Sequence, residues 1–123
     1  MSDDLPRRAW LFLQDPEEGS PPVVEVEPIE EEDFTLNELQ GFVEGLIERI
    51  PIPGYIIWAN EESGLYEEFE TNSRFCGAFL DLLYANVLMG PKMIAGNVLV
   101  MDTPALRANE EVMDCIRQWS GVA

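Results

Sequence analysis

The chain has 123 residues, 46% of them hydrophobic and 25% charged, which is enough for one domain with a core and too little for two. Its 24 acids against seven bases give a net charge of −17, which argues against direct DNA or RNA binding, since phosphate affinity needs clustered Lys and Arg. There is no histidine, so thiolate–imidazole catalysis and the usual zinc sets are excluded within one chain.

The hydrophobic fraction opposes a disordered chain. No apolar run reaches the ~18 residues of a membrane span. The acidic start, MSDDLPRRAWLFL, lacks the basic n-region of a signal peptide. The expectation is a cytoplasmic protein that binds no membrane. Residues 1–8 read as a loose N-terminal segment.

Trp10 to Gln14 (WLFLQ) reads as a first strand, bounded by the turn-like DPEEGSPP, so residues 15–22 form an acidic loop. Residues 23–29, VVEVEPI, alternate apolar and acidic as a half-buried strand does. The two strands make a hairpin the economical arrangement. A second acidic loop, 30–34, follows. Thr35 and Glu38 form a capping-box pattern. Behind it Leu36, Leu39, Phe42, Val43, Leu46, Ile47 and Ile50 recur at helical spacing. This predicts a helix over 35–50, stopped by Pro51 and Pro53.

Residues 55–60, YIIWAN, read as a strand, with 65–70, LYEEFE, as its hairpin partner. Asn72 or Ser73 starts a second helix through FCGAFLDLLYANVL. Residues 93–101, MIAGNVLVM, form a strand with a bulge or tight bend at Gly96-Asn97. Thr103 caps a final helix with Pro104 at its first position, running to about Trp119. The prediction is a single α+β domain: a mostly antiparallel sheet with about three helices packed on it.

Cys76 and Cys115 sit in apolar helical contexts, and both a pair of reduced core thiols and a disulfide fit the sequence.

Several short motifs occur in one order: VEGLIE (43–48), NEESG (60–64), Asn72 and GNVLVM (96–101). On Val43, Gly45, Ile47, Glu48, Asn60, Glu61, Gly64, Asn72, Gly96, Asn97, Val98 and Val100 the chain resembles the family catalogued as domain of unknown function 3846. The likeness spans roughly residues 23–101 and departs from the family pattern at Phe75-Cys76. It implies an origin in phages, plasmids or large viruses and brings no activity or site residues.

The charge is polarised. Residues 1–70 hold 19 acids and three bases, a net of −16; residues 71–123 hold five acids and four bases, a net of −1. The densest run is EPIEEEDF, residues 27–34, with five carboxylates. A helix N-terminus favours one or two acids there, not five. Adjacent carboxylates such as Glu17-Glu18 and Glu110-Glu111 point apart and make no acid/base pair. No phosphate loop, nucleophile elbow or EF-hand spacing is present, so no enzymatic activity, cofactor or metal is expected.

What remains is a surface function. Glu30, Glu31, Glu32 and Asp33, with Glu61, Glu62, Glu67, Glu68 and Glu70, are the candidate partner-binding residues. They would form one acidic face for a basic protein surface, and in its sharpest form would imitate the phosphate rows of a duplex before a nucleic-acid-binding host protein. The plainer readings are a solubilising or salt-adapted surface on a structural or adaptor domain, and a small-molecule pocket lined by Tyr55, Trp58 and Tyr66.

Overall fold

The computed structural model describes residues 8–28, 34–61, 72–86 and 94–120. The fold is α+β, built on a five-stranded sheet in which every described strand pair is antiparallel. Its strands are β1 (Ala9–Phe12), β2 (Val23–Val26), β3 (Ile47–Arg49), β4 (Ile57–Asn60) and β5 (Val98–Met101), in the order β2-β1-β5-β4-β3.

β1 and β5 read AWLF and VLVM, without polar alternation, and every one of their residues is buried. Such runs suit strands covered on both faces. One face carries Trp10, Phe12, Ile57, Val98 and Val100. The helices α2 (Ser73–Ala78), α3 (Leu80–Asn86), α4 (Pro104–Ala108) and α5 (Glu110–Ser120) supply Phe75, Leu83, Leu106, Val112 and Ile116 to the same cluster, joined by Phe79 from between α2 and α3. The other face carries Ala9, Leu11, Leu99 and Met101, packed against Leu39 and Phe42 of α1 (Leu36–Val43). The sheet is therefore sandwiched between helices, with strand alternation sorting residues between the two cores.

The β1–β2 hairpin forms as expected, pairing Ala9 with Val26 and Phe12 with Val23. The capping box also forms: the Thr35 hydroxyl accepts from the Glu38 N–H at 3.1 Å, and the Glu38 carboxylate accepts from the Thr35 N–H at 2.8 Å. Thr103 caps α4 ahead of Pro104.

The helix expected over 35–50 stops at Val43. Glu44 turns left-handed at φ 64°, and the N–H of Gly45 reaches back to the Gln40 carbonyl at 3.0 Å. The Asn60 amide donates to the carbonyls of Val43 and Glu44, at 3.0 and 3.2 Å, taking up two of the acceptors that every helix C-terminus leaves free. Residues 47–49 then become β3. Leu46, expected inside, is 51% exposed, and Leu36 is 58% exposed. Ile50 is buried, but in the core on the opposite face from α1. β3 also takes the place given to residues 65–70: it pairs with β4, which has β5 on its other side. Residues 65–70 themselves lie outside the described residues.

The second and last helices are each divided. Phe79 separates α2 from α3, and Asn109 separates α4 from α5. The Asn109 carboxamide accepts from the Val112 N–H at 3.2 Å and donates to the Tyr55 hydroxyl at 3.0 Å, so it restarts the helix and ties it to the core. Gly96 makes the expected bend with φ 80°. Cys76 and Cys115 are both free thiols, which removes the disulfide alternative.

Candidate partner-binding surface

Of the nine candidate residues, Glu61 alone lies among the described residues; Glu30, Glu31, Glu32, Asp33, Glu62, Glu67, Glu68 and Glu70 fall outside them. Glu61 directly follows β4 at an exposed position, where its N–H donates to the Leu46 carbonyl at 2.8 Å. The β3–β4 register sets Glu48 opposite Ala59, two residues from Glu61. Strand alternation therefore sends both carboxylates to one side of the sheet. Partial burial pushes the Glu48 carboxyl up, and the neighbouring Glu61 charge pushes it further. Glu44, exposed at the end of α1, lies just before β3. Glu48 and Glu44 were not among the sequence candidates, because the predicted helix hid the strand edge that presents them.

Most of the described bases are engaged inside the chain. Asp102, at the end of β5, accepts from Arg107 through Nε at 2.7 Å and Nη2 at 2.6 Å. It also accepts from Arg8 through Nε at 3.1 Å and Nη2 at 3.0 Å. These bonds, Arg107's first, hold the Asp102 carboxyl below the ordinary aspartate range, against a burial effect in the other direction. Arg8 also approaches Glu25 at 3.4 Å and lies over the Trp10 ring, 5.8 Å from its centre. Arg117 pairs with Asp114 at 2.6 Å, and Arg49 donates to the Tyr55 carbonyl at 2.9 Å. Four of the five described arginines are thus engaged. Among the described residues no arginine pairs with Glu17, Glu18, Glu27, Glu44, Glu48 or Glu61.

The motif residues behind the family likeness have structural work. Asn60 and Asn72 are 3% and 1% exposed. Asn72 accepts from the Phe75 N–H at the start of α2 and donates to the Phe12 and Gly96 carbonyls, at 2.9 and 2.8 Å. Asn97 accepts from the Gln14 N–H and donates to the Phe42 carbonyl. These three carboxamides tie loops and helix ends to the sheet. Asn72 is accordingly a buried cap.

The pocket suggested for Tyr55, Trp58 and Tyr66 does not form around the first two. Tyr55 belongs to the core on the α2–α5 face and Trp58 to the one on the α1 face; Tyr66 lies outside the described residues. A cleft of about 310 Å³ lies elsewhere, between the α2–α3 segment Gly77–Leu82 and α5, which contributes Glu111 and Cys115, with Asn109 at its start. Among the described residues no group of three or more acids and cysteines could hold a metal ion, and no helix is long and apolar enough to cross a membrane.

No protein-family model, curated protein or solved structure matches the chain.

Proposed function

We propose that this chain is a non-enzymatic, acidic protein-binding domain whose carboxylate surface receives a basic partner. The observation that carries the reading is the imbalance in how charge is used. Four of the five described arginines are occupied within the chain, while Glu48 and Glu61 crowd each other at an exposed strand edge. Like charges held together cost self-repulsion, and a field of that kind steers a basic surface into contact. The sharper form of the proposal is imitation of nucleic-acid phosphates, occupying a DNA- or RNA-binding host protein. The resemblance to a mobile-element family supports that form, because such elements gain from blocking host defences.

The test is capture of basic proteins from host lysate at low and moderate salt, followed by kinetics with the chain carrying Glu30→Gln, Glu31→Gln and Glu32→Gln. The reading expects slower association and a shallower salt dependence in the variant, with folding unchanged. Competition by duplex DNA or by RNA for the captured partner separates the mimic from a general adaptor. A partner whose binding and salt slope ignore the triple substitution would leave the acidic run as a solubilising loop.

A further inference from the structure

The cleft between α2–α3 and α5 has a composition that selects its occupant. Its volume of about 310 Å³ is at the lower end of the ~300–1,000 Å³ of small-ligand clefts, suited to one long side chain rather than a cofactor. Asp81 and Glu111 line it, and among the described residues no arginine does. Neither carboxylate has an ion-pair partner among the described residues. The other polar lining group, the Asn109 carboxamide, is occupied by Val112 and Tyr55.

The rim adds an independent feature. Leu80 lines the cleft and is 43% exposed, and Tyr84, one turn along α3, is 70% exposed. Residues four apart share a helix face, so an aliphatic and an aromatic side chain stand together in solvent beside two carboxylates. Exposed aromatics of this kind are the usual anchors of protein interfaces.

We infer that this cleft is the anchor point for a guanidinium or ammonium side chain of the basic partner, with Leu80 and Tyr84 packing on the aliphatic stem behind the charge. A long basic side chain has that build, an apolar stem and a charged head. The inference rests on the proposed function and adds to it a place and a chemistry of contact.

Two features make the cleft testable in the intact chain. Cys115 lines it, whereas Cys76 is buried with its thiol pushed up to about 11, so alkylation reports on Cys115 first. A Cβ added at Gly77 meets nothing within 4 Å, so Gly77→Leu starts from open space in the cleft lining and has better helix propensity. The probe is a synthetic octa-arginine peptide at low salt. Its binding should slow iodoacetamide alkylation of Cys115. Gly77→Leu, and separately Asp81→Asn with Glu111→Gln, should weaken the peptide about tenfold. Glu48→Gln with Glu61→Gln should leave the Cys115 protection in place at saturating peptide. If octa-arginine binds the chain but Cys115 alkylation and the affinities of both cleft variants are unchanged, the cleft is not the anchor and the acidic-surface reading stands. If octa-arginine does not bind at low salt, the acidic-surface reading falls too.

Discussion

The Asn60 side chain occupies the space a Cβ would need at Gly45: a methyl group built there would stand 2.5 Å from Asn60 Nδ2. The contact is held in place because that nitrogen donates to both Val43 and Glu44 carbonyls. The end of α1, the start of β3 and the end of β4 therefore meet at one carboxamide.

Gly45→Ala should accordingly destabilise the fold. To make room, the Asn60 amide has to leave its two carbonyls, and lost buried hydrogen bonds cost about 1–3 kcal/mol. Asn60→Ala removes the bonds without the clash, so the double variant should cost much less than the sum of the two. Urea unfolding of the four proteins in that cycle checks the expectation; strict additivity would mean that Gly45 and Asn60 act separately.

Asp102 offers a test with a pH signature. Its side chain is 7% exposed, and both guanidinium partners are far more exposed, at 42% for Arg8 and 63% for Arg107. Solvent screening at those ends reduces what each pair contributes. Asp102→Asn should still cost about 1–2 kcal/mol at neutral pH, the scale of lost charge-assisted bonds to a nearly buried acceptor. Because the folded carboxyl lies below its unfolded value, the native state binds this proton more weakly, and the stabilisation is full above the ordinary aspartate range. It is lost as pH falls through the folded value. Stability curves of the two proteins should therefore converge in acid; a gap independent of pH would assign the loss to packing.

Leu46 and Leu99 separate what the sequence could show from what it could not. Leu99 sits in VLVM, whose unbroken apolar run marks a strand covered on both sides, and it is fully buried. Leu46 keeps helical phase with Leu39, Phe42 and Val43, yet it is half exposed, in the turn between α1 and β3. The periodicity could not reveal the helix end because Asn60, which accepts the role of cap, lies 16 residues beyond Glu44. Local signals behaved differently: the Thr35–Glu38 box, the Thr103-Pro104 cap and the bend at Gly96 were all legible, since each is written in the backbone preferences of a few neighbouring residues. The acidic candidates were legible as composition, while the Glu48–Glu61 proximity depends on a strand register that the helix reading concealed. Leu99→Ala should cost about 2–5 kcal/mol. Leu46→Ala should stay within about 0.5 kcal/mol, as exposed substitutions do. Denaturant midpoints for the two variants decide it, and a large loss at Leu46 would restore the longer helix.

Glu48 carries the opposite pH signature from Asp102. Its carboxyl is raised, first by partial burial and then by the charge of Glu61. A raised folded value means that the native state holds this proton more tightly than the unfolded chain does. Stability from this group is therefore present at low pH and declines as pH rises from the unfolded value through the folded one. At neutral pH the charged Glu48 is a liability to the fold. Glu48→Gln removes the group that titrates, so it should raise neutral-pH stability slightly and flatten the decline. Glu61→Gln removes only the repulsive neighbour, so it should bring the Glu48 carboxyl part of the way down and leave the burial effect. Carbon-detected NMR titration of the Glu48 carboxyl in both the parent and the Glu61→Gln chain measures that difference directly. Added salt should shrink it, because screening acts on the Glu48–Glu61 repulsion and not on burial. If Glu61→Gln leaves the Glu48 titration where it was, the two carboxylates do not share a field, and the strand-edge part of the acidic surface loses its basis.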